Sequence, residues 1–187
     1  EKYRPKKQTN KALISKKVNG VADINGGKYW QIFDIKLFGR NNSRVLNVLE
    51  KKLASGTKKY WIATVNPEFV MTAQKDKGFK KILSKTSLNV VDGIGLIWAQ
   101  QMLRPNFQFS IFNFQLVKAI KIGIEVLRGK YKDQVTSGAD LIIDLVKMSQ
   151  KMDKKIFLLG GWGGRAKKTA EFLMTNYQIS NKNIEWC

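Results

Sequence analysis

Two short apolar runs joined by one helical stretch constrain this chain more than any other feature. The segment Tyr60–Trp98 reads YWIATVNPEFVMTAQKDKGFKKILSKTSLNVVDGIGLIW. Trp61-Ile62-Ala63-Thr64-Val65 is almost continuously apolar, the pattern of a strand buried on both faces in a parallel sheet. Asn66-Pro67-Glu68 then supplies a capping residue, a proline suited to the first helical position and an acid for the first turn. The spacing predicts a helical stretch carrying Phe69, Met71, Phe79, Ile82 and Leu83. A second run, Leu88-Asn89-Val90-Val91, delivers Asp92 into Gly93-Ile94-Gly95 and a new helix. Strand, helix and strand in this order form a right-handed crossover. Thr64, Asn66 and Asp92 then stand at or near the carboxyl ends of two parallel strands, where open α/β sheets bind ligands. Asp92 is thereby a candidate catalytic carboxylate.

The rest of the chain extends this unit into an α/β fold, a Rossmann-like, open, mostly parallel sheet with flanking helices. Tyr29–Phe38 alternates as a strand or short hairpin arm. Asn42 or Ser43 can cap a helix with apolar positions Val45, Leu46, Val48, Leu49 and Leu53, ending at Gly56. Ser137 with Asp140 three residues on resembles a capping box for a helix through Leu141, Leu145 and Val146. Lys155–Leu159 reads as a buried strand running into Gly160-Gly161-Trp162-Gly163-Gly164 and a helix that begins at Arg165. Backbone N–H groups of that turn, with Arg165, Lys167 and Lys168, make a phosphate cradle conceivable; a tight strand-to-helix turn explains the same glycines. Asn183–Cys187 looks like the start of one more strand, so the polypeptide reads as stopping inside a unit.

Charge bounds the function classes. The 187 residues hold 34 Lys and Arg against 14 Asp and Glu, a net charge of +20 that favours anionic partners. With no histidine, a general base must be Asp, Glu, Lys, Tyr or Cys, and His/Cys zinc sites are excluded. The lone cysteine, Cys187, excludes an internal disulfide framework and fits a reducing cytoplasm. No apolar run is long enough to span a membrane. Residues 1–28 form a basic tail, either solvated or in contact with a polyanion, and residues 29–187 form the α/β domain. Within that domain lies a basic amphipathic insertion at 104–132. There Phe107, Phe109, Ile111, Phe112 and Phe114 lead into a helix with Leu116, Val117, Ile120, Ile124 and Leu127 on one side. Lys118, Lys121, Glu125 and Arg128 form a stripe opposite. This fits an interfacial membrane segment and equally a helix packed on the domain. A nucleic-acid-binding domain or a non-catalytic nucleotide or membrane-associated module satisfies the charge alone. However, no recognition-helix, RNP or OB pattern is present, and no specific nucleic acid is expected.

Taken together, Thr64-Val65-Asn66-Pro67-Glu68, Val91–Ala99, Ser137-Gly138-Ala139-Asp140-Leu141 and Ile156–Gly161 resemble the WecG/TagA/CpsF glycosyltransferase family, in the family's order and over roughly residues 30–180. The resemblance implies a transferase that moves an N-acetylmannosamine-type sugar from a UDP-sugar to a polyprenyl-diphosphate-linked acceptor. It further implies inversion, no obligatory metal and work at the cytoplasmic membrane face; a coenzyme is not implied, the charge favours an acidic membrane surface, and a homo-oligomer is compatible. By the same resemblance Asp92 is the general base, with Thr64 and Asn66 holding a sugar by hydrogen bonds; Gly93, Gly95, Gly138 and Asp140 are further substrate-binding candidates, and the geometry of the strand-to-helix turn adds Gly160, Gly161 and Arg165 near the UDP diphosphate. Asp140 suits a cap better than a catalytic role, and Trp162 either stacks on a uracil ring or covers its turn. Two departures stand out. The arginine that the family carries before its Ser-Gly-x-Asp-Leu piece is replaced by Asp133-Gln134-Val135-Thr136, which leaves a diphosphate clamp absent or supplied by Lys132 or Arg128. The family also continues past this chain's last residue with a glutamine-bearing motif and a basic appendage, so the chain reads as C-terminally truncated.

Overall fold

The computed structural model describes residues 22–24, 27–56, 59–102 and 112–187. The basic segment 1–21 and residues 103–111, including Phe107, Phe109 and Ile111, lie outside the described residues, as do the side chains of Phe112, Phe114 and Lys118. The chain divides into two compact units, residues 1–137 and 138–187.

The crossover anticipated around Asp92 is the centre of the first unit. Strand β4 (Ile62–Val65) pairs parallel with β5 (Leu88–Val91), in register from Ile62↔Leu88 to Val65↔Val91. The connection is two helices, α2 (Pro67–Lys75) and α3 (Lys77–Lys85), not one. Asp76 makes the break: its backbone is extended and its carboxylate accepts the N–H of Phe79 at 3.0 Å, so it ends one helix and caps the next. Leu83 is buried and Phe69 stacks edge-on against Phe79, whereas Met71 and Ile82 face outward, contrary to a simple apolar count.

Tyr29–Phe38 resolves as a hairpin. Strands β2 (Gly27–Ile32) and β3 (Ile35–Phe38) turn through Phe33 and Asp34, both at positive φ, and β1 (Ala22–Ile24) extends the ribbon. Strand β3 then pairs parallel with β5 through Phe38↔Val90, giving the order β1-β2-β3-β5-β4. Helix α1 (Asn42–Ala54) is capped by Asn41, one residue before the positions anticipated. The Asn41 side chain accepts the Arg44 N–H at 3.2 Å and donates to Asp133 at 3.3 Å. The core of the unit gathers Trp30, Leu37, Val65 and Val91 with Leu96 and Ile97 of α4 (Ile94–Met102).

Helix α5 (Phe112–Leu127) buries Ile122, with Val126 packed on the core, and exposes Leu116, Val117, Ile120, Ile124 and Leu127. The apolar side identified from the period is therefore the outward one. Its carboxyl end is held by Glu125, which lies 2.8 Å from the Lys130 ammonium and accepts the Tyr131 hydroxyl at 2.8 Å.

In the second unit α6 (Gly138–Lys151) and α7 (Arg165–Tyr177) accompany β6 (Ile156–Leu158) and β7 (Ile184–Trp186), which pair in parallel. Val146, Ala170, Leu173, Ile179 and Ile184 form its core. Of five strand pairings among the described residues, three are parallel: β3–β5, β4–β5 and β6–β7. The fold is α/β with a mostly parallel open sheet.

Two expectations follow. Asn89 is buried, and its amide donates to the Lys36 and Leu83 carbonyls at 3.1 and 3.0 Å while accepting the Thr86 hydroxyl at 2.7 Å. Asn89→Ala should lower unfolding free energy in urea by about 2 kcal/mol, because buried groups lose their partners. The Lys130 ammonium first, then the Tyr131 hydroxyl, holds the Glu125 carboxyl below its ordinary range. A depressed carboxylate stabilises above its unfolded pKa and loses that contribution as pH falls through the lowered folded value. Hydrogen exchange at residues 128–131 should therefore quicken on acidification below the usual glutamate range, and Glu125→Gln should remove that dependence.

Candidate active site

Strands β3, β5 and β4 run the same way, so their carboxyl ends share one edge. Val65 and Val91 are paired, which sets Asn66 and Asp92 level, and the Asp92 N–H donates to the Val65 carbonyl at 2.8 Å. The base of the Asp92 side chain is thus tied to the neighbouring strand. Asp92 is half-buried, and its carboxylate has no hydrogen bond or ion pair among the described residues.

Two helices begin at this edge. Asn66 caps α2, accepting the Phe69 N–H at 2.9 Å, with Pro67 at the first helical position. Helix α4 starts directly after Gly93, whose φ of +90° is a conformation that L side chains resist. A Cβ on Gly95 would stand 3.0 Å from Pro67 Cγ, so this glycine lets the two helix starts lie side by side. Both dipoles direct partial positive charge to the edge that holds Asp92 and Asn66. Thr64 lies half-buried one residue before Val65, in register with Val90.

Two residues at the edge escaped the sequence reading. Arg40 follows β3 by two positions, where its N–H donates to the Phe38 carbonyl at 3.2 Å and turns the chain at this edge. Thr136 is fully buried; its N–H donates to the Val91 carbonyl at 2.8 Å and its hydroxyl to the Arg40 carbonyl at 2.6 Å. The segment before the second unit therefore straps the ends of β5 and β3 together. Only the long-range pairing of β3 with β5 exposes either role. The nearest local signal was Thr136's place immediately before Ser137-Gly138. Gly39 belongs to the same arrangement, since a Cβ there would lie 2.7 Å from Trp30 Nε1.

Of the residues singled out, Thr64, Asn66, Asp92, Gly93 and Gly95 gather on this edge of the first unit. Gly138, Asp140, Gly160, Gly161 and Arg165 belong to the second unit. Gly138 opens α6 and Asp140 lies in its first turn. Gly160, Gly161, Gly163 and Gly164 all have positive φ, and Gly164 precedes α7 with no side-chain cap, so the first amides of α7 are uncovered by any side chain of the turn. Arg165 and Trp162 at this turn are exposed.

A cavity of about 330 Å³ lies elsewhere, at the amino-terminal end of β5, lined by Ile35, Lys36, Lys80, Thr86 and Asn89. Its polar groups are engaged: Lys80 pairs with Asp34 at 3.1 Å, and the Lys36 ammonium sits 4.4 Å above the Tyr29 ring.

Comparison with known sequences agrees with this geometry. The family described as Glycosyl transferase WecG/TagA/CpsF family matches residues 30–122, the span containing β3, β4, β5 and α4. The chain is also similar to the N-acetylglucosaminyldiphosphoundecaprenol N-acetyl-beta-D-mannosaminyltransferase of Bacillus subtilis (strain 168), with 25% identity over 129 residues. That match covers 69% of this chain and 41% of the length of the relative. Asp92, Asn66 and Thr64 all lie inside the span that matches the WecG/TagA/CpsF family of glycosyl transferases.

Proposed function

We propose that the carboxyl edge of β3, β5 and β4 is the centre of an inverting, metal-independent glycosyltransferase. It moves an N-acetylmannosamine-type sugar from a UDP-sugar to an undecaprenyl-diphosphate-linked sugar during synthesis of a cell-surface polymer. The observation that carries this reading is Asp92: a half-buried carboxylate without a protein partner among the described residues, fixed by its own N–H to the adjacent strand. The name of the Bacillus subtilis relative supplies the substrate class.

The chemistry follows from what the edge offers. Asp92 takes the proton of the acceptor hydroxyl as that oxygen bonds to the anomeric carbon. The bond from that carbon to UDP breaks on the opposite face, UDP leaves with the electron pair, and the configuration inverts. Asn66 and Thr64 hold sugar hydroxyls beside the base. Charge developing on the leaving diphosphate meets the amino ends of α2 and α4 and the Arg40 guanidinium, which takes the part of the family arginine that this chain lacks. Within the second unit itself, the glycine turn before α7 offers anion-binding amides together with Arg165. The acceptor's prenyl chain sets the reaction at a membrane surface, with the protein peripheral to it on the cytoplasmic side.

UDP release from a UDP-sugar panel with a short-chain, water-soluble prenyl-diphosphate acceptor tests this reading. Asp92→Asn should lower turnover by about 10²–10⁴-fold, the usual value of a positioned general base. Turnover indifferent to Asp92 would sink the mechanism. Arg40→Lys should cost about tenfold or more in turnover, because a lysine does not reproduce the planar fork of arginine on a diphosphate. Chelation of divalent cations should leave the rate unchanged; a rate abolished by chelator and restored by magnesium would overturn the metal-independent part.

A further inference from the structure

We infer that the outward face of α5, together with Ile94 and Trp98 of α4, is a docking surface for an anionic lipid bilayer. At about 100° per residue, Leu116, Val117, Ile120, Ile124 and Leu127 fall within an arc of about 100° around α5. Leu127 is 86% exposed and Leu116 64%, whereas Ile122 on the opposite side is 6% exposed. A helix that turns its apolar arc to solvent and holds the protein by its narrower side has the amphipathy of a surface-lying membrane helix. Lys121 and Arg128 border the arc along one edge, and both are exposed. On α4, Ile94 and Trp98 are one turn apart and both about 41% exposed. The Trp98 indole N–H reaches the Ala119 carbonyl of α5 at 3.5 Å, so the two helices carry one exposed aromatic between them. Indole at such a position suits the polar–apolar boundary of a membrane.

Charge selects the occupant. A second copy would bring another chain of net charge +20 against a face edged by Lys121 and Arg128. Anionic headgroups meet those cations with opposite charge, worth about 1 kcal/mol per Lys or Arg, or roughly fivefold in affinity. The surface lies on a membrane and does not cross it. No helix of the described residues is long and apolar enough to span, and α5 is about 24 Å long at 1.5 Å per residue, short of the ~30 Å hydrocarbon thickness. The placement also has a functional consequence, which rests on the transferase reading. Helix α4 starts beside Asp92, so its exposed Ile94 and Trp98 lead from the catalytic edge toward the bilayer, where the prenyl chain of an acceptor would lie.

Flotation of the full chain with vesicles of mixed phosphatidylglycerol and phosphatidylcholine tests the surface. A parallel arm at about 0.5 M salt screens the general attraction of a basic protein. The parent chain should float, and part of that binding should persist in salt. Ile120→Asn with Ile124→Asn should reduce partitioning by roughly tenfold for each residue, the worth of burying an aliphatic side chain. Both side chains are solvent-exposed, so an unchanged thermal melt will show that the double variant folds. Lys121→Gln with Arg128→Gln should weaken binding to acidic vesicles only. Brominated lipid should quench tryptophan emission in the parent and less in Trp98→Phe. UDP release with the water-soluble acceptor should be the same for parent and double variant, while release with a vesicle-held acceptor falls in the variant. If UDP release is silent throughout but flotation is lost in the variant, the surface stands and the transferase reading falls. A double variant that floats like the parent, or a parent that stays off vesicles, overturns the surface. So does a parent dimer off vesicles that the double variant converts to monomer, because the face then covers a second copy.

Discussion

The pairing of β4 with β5 is the constraint on which the rest of the first unit depends. Because Val65 and Val91 are partners, both strands end at the same height, and the Asp92 N–H closes the ladder on the Val65 carbonyl. A slip of one residue would break the Val65–Val91 pairing and move Asp92 out of level with Asn66. The register is guarded by burial, since all of Leu88, Asn89, Val90 and Val91 are inside. At the amino end of β5, Asn89 ties the strand to Lys36 and Leu83; at the carboxyl end Thr136 does so to Arg40. The strand is pinned at both ends by buried polar groups, whose loss costs more than a surface contact of the same kind.

Above that ladder, two glycines decide how closely the helices approach. Gly93 accepts a left-handed turn between strand and helix, and Gly95 lets α4 start against Pro67. A cap, a proline and two glycines thus bring the positive ends of two helices to one carboxylate. The arrangement gathers partial positive charge around a carboxylate. Under the proposed transferase function this suits a hydroxyl nucleophile and a diphosphate leaving group, and neither helix could supply it alone.

The features legible in the sequence were the local ones. Strand, cap, proline, strand and Asp-Gly follow one another within forty residues, and the structure places them as their pattern implies. Long-range pairing was not legible. Tyr29–Phe38 alternates like any hairpin arm, and nothing in it says that β3 turns to lie parallel beside β5. Arg40 and Thr136 therefore escaped notice, because their significance comes wholly from that neighbour. Competing caps were also unresolved: Asn41, Asn42 and Ser43 are adjacent candidates, and the additional bond from Asn41 to Asp133, far along the chain, favours the first. The break at Asp76 was hidden by the helical period running through it. A period shows which residues share a side of a helix and is silent on which side meets the core.

Helix α5 illustrates that last point and joins the two halves of the functional picture. A soluble protein normally turns the wider apolar arc of a helix inward, because each buried aliphatic side chain contributes about 1.5–3 kcal/mol. Here the wider arc faces out, and Ile122 with Val126 suffices to hold the helix, helped by the Glu125–Lys130–Tyr131 cluster at its end. Such a face is a liability in water unless something apolar covers it. Chain charge opposes like-charged copies and favours an anionic covering, while Trp98 marks the boundary beside a helix that begins at Asp92. The same electrostatic sign appears at two scales: the whole chain carries a net charge of +20, and two helix starts turn their positive ends to the sheet edge. Under the proposed transferase function, a lipid-linked diphosphate acceptor joins a lipid chain to an anionic group in one molecule, which would give the exposed helix and the sheet edge a common reason to lie together on the first unit.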